Sequence, residues 1–275
     1  MQICLLGGVT VVAGPYAHRV TQPKLATLLA VLALSPGTPR SSDQLMDEMW
    51  PNSAIRDTRN ALQVTVNRLR ELIRSLAGCP GDEVIGTVGG GYLLAINREQ
   101  VDAHVFVDLA GRAPNLLRDD PAAAAALLRS ALGLWRGPAL LDVRDGMRCC
   151  MEATVLEERR LVACEDLVTA RMALGDERGL VAELRRLVEE HPERERLSAQ
   201  LMLALYREGR QTEALETYHR LSDRLTTESG LKPGDVIREV YEAILSHDKM
   251  GLPGSCCQGS HRPSESASPG RSTGR

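Results

Sequence analysis

Amide and guanidinium side chains recur on one side of a single stretch of the chain. Steps of three, four and one separate Asn60, Gln63, Asn67 and Arg68. An α-helix would bring these positions to a common face. The amides can form paired hydrogen bonds with an adenine edge, and the guanidinium can do the same with guanine. These residue types could therefore read base edges in a DNA major groove, although an ordinary solvated helix face has the same composition.

The other side of the same stretch is apolar. Its residues recur at steps of four, three, four and three, namely Leu62, Val66, Leu69, Ile73 and Leu76. This spacing predicts an amphipathic helix over residues 57–75, packed on a domain core. Asp57 or Thr58 can cap its first turn. The unpaired N–H groups of that turn, with Arg56 and Arg59 beside them, would suit a phosphate.

No other stretch carries a recognisable chemical site. The sequence has no paired metal-ligand spacing, no phosphate-binding loop after Gly7-Gly8 and no nucleophile motif. Its six histidines are scattered along the chain. We therefore expect no enzymatic activity, no metal and no cofactor.

Composition favours a mainly helical fold of more than one domain. The chain has 275 residues, and only 3% of them are aromatic while Ala and aliphatic residues are abundant. The net charge is −3, but residues 1–98 hold nine Lys/Arg against seven Asp/Glu, so they carry +2 and the remainder −5. The more basic end is therefore the one that contains the amide-rich helix.

The cysteines and the apolar runs indicate a cytoplasmic protein. Seven cysteines form no C-x-x-C pair, which favours reduced thiols over a disulfide framework or a zinc site. No signal peptide and no run of membrane-spanning length is present in the sequence. We expect a cytoplasmic, nucleoid-associated location without a membrane partner.

Residues 1–98 follow the order sheet, three helices, hairpin. Short β-branched runs between glycines predict an antiparallel sheet over residues 2–20. Apolar residues 24–34 predict a buried helix, and a capping box of Ser41 with Gln44 opens a second one that closes at Trp50-Pro51. Strands at 84–88 and 92–96 flank three glycines. A winged helix-turn-helix is the economical interpretation, with residues 57–75 as its third helix.

Two segments resemble a known family. The run from Arg59 to Arg70 and the later Gly89-Gly90-Gly91-Tyr92 resemble the OmpR/PhoB-type winged helix-turn-helix, most closely that of the Streptomyces antibiotic regulatory protein family. The resemblance implies base-reading positions at Gln63, Val64, Asn67 and Arg68. Phosphate contacts would come from Arg56, Thr58, Arg59 and Asn60, and from wing backbone amides at Gly91 and Tyr92.

The chain departs from this family pattern at two positions. Val88 stands where the wing usually carries an Arg that can enter the minor groove, and Ala26 stands where the first helix often has a basic residue. With a weaker wing, the third helix would have to supply more of the sequence discrimination.

Residues 101–248 are predicted to be helical throughout. Helices are expected over 119–135, 152–174, 180–190, 195–208, 212–227 and 233–246. Gly175 and Gly209 are 34 positions apart, the period of tetratricopeptide-like helix pairs, although a plain helical bundle could show the same spacing. The segments Leu134-Trp135-Arg136-Gly137-Pro138 and His191-Pro192-Glu193-Arg194-Glu195-Arg196-Leu197 resemble the bacterial transcriptional activation domain of the same family, and the resemblance favours the repeat.

The sequence thus predicts three regions. A winged-helix DNA-binding domain spans 1–98, a tetratricopeptide-like activation domain spans 101–248, and a Gly, Ser and Pro-rich tail spans 249–275. By resemblance, the partners are double-stranded DNA with direct repeats, RNA polymerase holoenzyme with its sigma factor, and a second copy of the chain on DNA. Candidate polymerase contacts are Trp50, Asn52 and Asp57.

The expected function is activation of an antibiotic or other secondary-metabolite gene cluster. The family's larger members carry an additional ATPase domain, and we expect this chain to be of the short form without one. Two alternatives stay open from the sequence. The chain could be a repeat-based interaction adaptor that has lost DNA binding, or a repressor with the same DNA-binding domain.

Overall fold

The computed structural model describes residues 1–51 and 58–246. The strands are β1 (Gln2–Cys4), β2 (Thr10–Ala13), β3 (Tyr16–Arg19), β4 (Arg40–Ser41), β5 (Ile85–Val88) and β6 (Gly91–Leu94). The helices are α1 (Pro23–Ala33), α2 (Ser42–Met49), α3 (Thr58–Ala77), the one-turn α4 (Gly81–Val84), α5 (Asp102–Arg112), α6 (Pro121–Leu132), α7 (Met147–Ala173), α8 (Leu180–Glu190), α9 (Glu195–Arg207), α10 (Gln211–Ser229) and α11 (Asp235–Leu245). The predicted fold class is confirmed: small antiparallel sheets come first and helices follow.

The N-terminal sheet has the order β1-β2-β3 and is antiparallel throughout, as predicted. Its inner face is apolar: Ile3 pairs with Val11, and both side chains are buried. All four residues of β3 are exposed. The sheet therefore buries one face of its first two strands and leaves β3 exposed at its edge.

Helix α1 forms the centre of the N-terminal core. Its nine residues from Leu25 to Ala33 are all buried, which agrees with the apolar run that predicted it. Pro23 occupies the first turn, where the missing N–H costs no hydrogen bond. Helices α2, α3 and α7 all pack against it. This packing explains Ala26, which is fully buried and could not present a basic side chain to solvent there.

The second sheet has the order β4-β6-β5 and contains the predicted hairpin. The turn uses Gly89 and Gly90, both with positive φ (55° and 82°), as a tight two-residue hairpin requires. Strand β4 was not predicted, because two residues are too few to show a periodicity. It brings the carbonyl of Arg40 against Gly91, where a Cβ would lie only 2.0 Å from that oxygen.

Two carboxylates join the winged helix to the helices that follow it. Asp102 at the start of α5 accepts the N–H of Leu5 at 2.6 Å and the N–H of Leu6 at 3.3 Å, and it also pairs with Arg136 at 2.7 Å. Burial raises the pKa of the Asp102 carboxyl, and these three donors oppose the rise. Glu48 on α2 makes the second connection.

Glu48 is buried and lies against the start of α7. Its carboxylate accepts the N–H of Arg148 at 3.0 Å and the N–H of Cys149 at 2.7 Å. These are orphan donors of the first helical turn, so a residue about a hundred positions away caps α7. For this reason α7 begins at Met147, five residues before the predicted start at 152.

The packing divides the chain at a different place from the predicted domains. One compact unit covers Met1–Asp176, and the second begins at Glu177. A continuous apolar core in the first unit runs from Ile3 through Phe106 to Ala163. The helices α5 to α7 therefore belong physically to the same body as the winged helix.

The second unit is built around α9. Nine consecutive residues of this helix, 197–205, are buried. Helices α8, α10 and α11 all pack on it. The predicted glycine ends are confirmed: Gly209 and Gly230 adopt positive φ (78° and 67°) after α9 and α10.

Several residues for which the sequence makes a prediction lie outside the described residues. The site candidates among them are Asn52, Arg56 and Asp57, and the others are the tail from 249 onwards, including Cys256 and Cys257. The five cysteines within the described residues are free thiols. Within the described ranges, no helix combines the length and apolar character needed to cross a membrane.

Candidate nucleic-acid interface

Helix α3 has the two opposed faces that its periodicity predicts. Its buried residues are Leu62, Thr65, Val66, Leu69 and Ile73. On the other side Gln63, Asn67 and Arg68 are exposed, and Val64 keeps 44% of its surface accessible. The four predicted base-reading side chains therefore share one solvent-facing surface. Leu76 is only half-buried, because α3 ends one residue later.

A guanidinium on α3 fixes the helix to the wing. Arg70 donates through Nε at 3.0 Å and through a terminal nitrogen at 2.6 Å to the carbonyl of Ile85. The same side chain donates to the hydroxyl of Thr87 at 2.9 Å. Both acceptors belong to β5. No sequence pattern assigns Arg70 this role, since its partners lie in a strand whose position relative to α3 only the fold determines.

The first turn of α3 presents polar side chains to solvent. Thr58 is half-buried, while Arg59 and Asn60 are exposed. The Arg59 guanidinium lies 3.9 Å from the Asp43 carboxylate, and both side chains are more than 70% exposed. Such a pair contributes little free energy. Arg59 can therefore exchange Asp43 for a phosphate at small cost.

The tip of the wing differs from the prediction at two positions. Gly91 and Tyr92 are buried in the middle strand β6, where Gly91 pairs with Ser41 and Val88, and Tyr92 with Arg40 and Thr87. Their backbone is enclosed by strands on both sides, so these two residues are poorly placed for phosphate contact. The exposed backbone of the wing is at Gly89 and Gly90, beside Val88, which is 45% exposed.

Two open clefts border the exposed face of α3. One, of about 330 Å³, lies between β3, the start of α1 and α3, and Arg68 lines it together with His18, Thr21 and Gln22. The other, of about 610 Å³, lies at the far end of α3 and includes Asn67 and Arg74 among its lining residues. Arg74 is exposed and pairs with Glu71 one turn away. The polar surface around α3 thus extends beyond the residues that the sequence analysis selected.

Trp50, a candidate polymerase contact, is half-buried and packs on the core of the first unit. The Lys24 ammonium lies 5.7 Å from its ring centroid and donates to the carbonyl of Met49. Part of the indole surface therefore has a structural role. The other two candidates, Asn52 and Asp57, lie outside the described residues.

The described part of the chain contains no group of three His, Cys, Asp or Glu side chains that could hold a metal ion. The surface around α3 carries amides, hydroxyls and guanidiniums, together with the Glu71 carboxylate and the exposed side chain of Val64. The polar groups among them bind through hydrogen bonds and charge, which suits recognition of a polar polymer.

Comparisons with known protein families give two matches that together cover most of the chain. Residues 101–245 match the bacterial transcriptional activator domain. Residues 20–94 match the family described as transcriptional regulatory protein, C terminal. Residues 95–100 lie between the two matches.

Individual relatives are transcriptional regulators. The transcriptional regulator RedD of Streptomyces coelicolor is 39% identical over 91% of this chain and 72% of its own length. The regulatory protein DnrI of Streptomyces peucetius is 35% identical over 90% of this chain and 93% of its own. AfsR of Streptomyces griseus is 31% identical, and the match spans only 25% of that longer protein.

A solved structure shows the same fold. The structure of Mycobacterium tuberculosis EmbR in complex with a low-affinity phosphopeptide superposes with a TM-score of 0.85 at 30% sequence identity. The match covers 92% of this chain and 66% of the EmbR chain. The arrangement of sheets and helices described above is therefore one that a known regulator also adopts.

Proposed function

The chain belongs to the Streptomyces antibiotic regulatory protein family of transcriptional activators, and from this premise we propose that it binds direct repeats near a promoter and recruits RNA polymerase. The genes it controls would be those of an antibiotic or other secondary-metabolite cluster. It would act in the cytoplasm, on the nucleoid, and as more than one copy on tandem repeats.

The main support for this proposal is the set of polar side chains on the exposed face of α3. Gln63 and Asn67 can each make paired hydrogen bonds with an adenine, Arg68 with a guanine, and Val64 can pack on a thymine methyl group. All four side chains are solvent-facing on a helix whose opposite face is buried. A helix held in this way can enter a major groove without losing contact with its own core.

Phosphate contacts would set the position of the domain on the duplex. Thr58, Arg59 and Asn60 in the first turn of α3 suit this role, with Arg56 before them. In the wing, the exposed Gly89 and Gly90 would supply the phosphate contacts in place of the buried Gly91 and Tyr92. A wing without a guanidinium at Val88 would contact the backbone and leave base discrimination to α3.

Footprinting on the intergenic regions of the neighbouring genes tests DNA binding. We expect protection of two or more repeats in the same orientation, spaced by whole turns of the duplex. A gel-shift titration with the protected fragment should show affinity that falls steeply with salt. Absence of binding at low salt would contradict the proposal and favour an interaction adaptor.

Run-off transcription tests the activating step. With purified RNA polymerase holoenzyme, addition of the protein should raise transcript yield from the protected promoter. A decrease would instead identify a repressor that uses the same DNA-binding surface. The helical second unit supports the proposal of a protein partner, because stacked helix pairs form extended surfaces suited to such contacts.

A further inference from the structure

A groove crosses the second unit between α8 and α10, above α9. Its floor is apolar and is formed by Val188, Leu201 and Leu221, of which Leu201 and Leu221 are buried. Its rim carries three guanidiniums, those of Arg185, Arg220 and Arg224. All three arginines are exposed. The groove therefore combines an apolar floor with a cationic rim.

The lining of the groove is more basic than the second compact unit as a whole. Residues 177–246 contain 11 Lys/Arg and 14 Asp/Glu, a balance of −3. Three arginines and one carboxylate, that of Glu189, line the groove, while the carboxylates of Glu213 and Glu228 pair with Arg185 and Arg224 from outside the lining. Clusters of arginine in a groove are a common means of recognising acidic peptide motifs, because guanidinium and carboxylate form short charge-assisted hydrogen bonds.

The existing partner of Arg224 can be exchanged, because its pair with Glu228 at 3.0 Å is a surface ion pair that contributes little to stability. Arg185 pairs with Glu213, which Arg210 also holds, so Arg185 is not assigned an incoming carboxylate. Arg220 donates only long contacts of 3.4 Å, to the carbonyl of Glu216 and the hydroxyl of Thr217. The Arg220 guanidinium thus keeps most of its donor capacity for an incoming carboxylate.

The volume of the groove limits what can occupy it. Its cavity measures about 160 Å³, below the roughly 300–1,000 Å³ typical of small-molecule and cofactor sites. That space accommodates one apolar side chain. Arg220 and Arg224 are one helical turn apart, about 6 Å along α10, so they can receive two carboxylates that flank such a side chain.

We propose that this groove, the α8–α10 groove, is a docking site for a short acidic segment of a partner protein, with one apolar side chain on the Val188, Leu201 and Leu221 floor and flanking carboxylates on Arg220 and Arg224. The site lies in the second compact unit and does not depend on the DNA-reading role of α3. Its partner is recognised by acidic and apolar side chains rather than by nucleic-acid chemistry.

Fluorescence anisotropy with the full chain tests the docking site. The probe is a labelled heptapeptide with one leucine flanked on each side by two aspartates and capped by glycines. We expect binding that weakens as salt increases. Combined Arg220→Ala and Arg224→Ala substitutions should weaken it at least tenfold. Replacing the leucine of the probe by glycine should also weaken it, because the floor then has no side chain to cover it.

Matched variants separate the groove from general attraction to arginine. The control variants are Arg186→Ala and Arg238→Ala. Arg186 lies on α8 beside Arg185, Arg238 lies on α11, and neither residue lines the groove. Both should bind the probe as the unmodified chain does. Arg220→Glu with Arg224→Glu should reverse the preference, so that a heptapeptide with lysines in place of aspartates binds better than the acidic one.

Three results would overturn the proposal. They are unchanged binding of the acidic probe by the double alanine variant, equal affinity for the lysine probe, and no measurable binding by the unmodified chain. Gel shifts run in parallel should show the same DNA affinity for the groove variants as for the unmodified chain. A failure of the docking site is thereby distinguished from a failure of DNA binding.

Discussion

At the residue scale, the solvent-facing side chains of α3 could be predicted from the sequence. The hydrogen bonds that fix α3 to the wing could not. A period of 3.6 residues assigns Gln63, Asn67 and Arg68 to the face opposite Leu62 without knowledge of the fold. Arg70 is different. Its hydrogen bonds reach the carbonyl of Ile85 in another element, and no local pattern reports such a contact.

Arg70→Ala should destabilise the protein by about 1–3 kcal/mol, because the carbonyl of the buried Ile85 loses its charged donor. Urea unfolding at pH 7 measures this loss. The matched control is Arg74→Ala on the same helix, because the Arg74 side chain is exposed and pairs with the exposed Glu71. Its cost should stay within about 0.5 kcal/mol. Equal destabilisation by the two variants would show that Arg70 does not fix the wing.

Arg59→Ala should weaken binding to the specific site and to random DNA by the same factor. Its guanidinium is placed for a phosphate, and phosphate contacts carry no direct sequence information. Gel shifts at several salt concentrations should also show a salt slope reduced by about 1. A loss confined to the specific site would place Arg59 among the base-reading residues instead.

At the element scale, helix ends set by local signals were predicted well, and ends set by distant residues were not. The capping box of Ser41 and Gln44 opens α2 as expected. The start of α7 depends on Glu48, which approaches from α2. Gly146 permits this approach, since a Cβ at that position would lie 2.2 Å from a Glu48 carboxylate oxygen.

Gly146→Ala should therefore lower the melting temperature by displacing Glu48 from the first turn of α7. The backbone at Gly146 (φ −79°, ψ 142°) is accessible to any residue, so the cost arises from the contact rather than from strain. Glu48→Ala should cost about 1–3 kcal/mol by leaving the N–H groups of Arg148 and Cys149 without their acceptor. In the double variant the two losses should be less than additive. Full additivity would contradict the proposed contact.

His104 on α5 lies in surroundings that favour its neutral ring over the charged one. Its Nε2 lies 3.2 Å from the carbonyl of Ala33 and its Nδ1 lies 3.3 Å from the Arg98 guanidinium. This pattern suits a neutral ring that donates through Nε2. Burial, followed by the charge of Arg98, lowers the pKa of His104 below its ordinary value of 6.5.

The sign of the effect follows from proton uptake. As the pH falls below 6.5, the unfolded chain binds a proton at His104 before the folded chain does, so stability decreases over that window and then levels off below the folded pKa. Urea unfolding between pH 7.5 and 5 should show this decrease in the unmodified chain. His104→Gln should show a smaller decrease, and identical pH profiles for both proteins would contradict the assignment.

At the scale of the whole molecule, packing divides the chain at a place that no local sequence pattern indicates. The sequence predicts a winged helix over 1–98 and an activation domain over 101–248, and the family matches cover residues 20–94 and 101–245. The compact unit instead continues to Asp176. The reason is that Leu5 and Leu6 bond to Asp102 and the core continues through Phe106, contacts that appear only after folding.

A fragment of residues 1–98 should consequently fail to fold cooperatively, while a fragment of residues 1–176 should unfold in one transition. The shorter fragment exposes core residues that pack on α5 to α7 and removes the Asp102 carboxylate from two backbone N–H groups. Circular dichroism during thermal unfolding distinguishes the two. A sharp transition in the 1–98 fragment would show that the winged helix is independent of the later helices.

We propose above all that the exposed face of α3 reads DNA sequence. A double-mutant cycle that combines Arg68→Ala with single base-pair changes in the footprinted repeat tests this most directly. Arg68→Ala should cost about 1–3 kcal/mol on the intact site and abolish discrimination at one guanine, so that the two changes together cost little more than either alone. If the variant distinguishes every base pair of the repeat as well as the unmodified chain does, Arg68 reads no base and the assigned face is wrong.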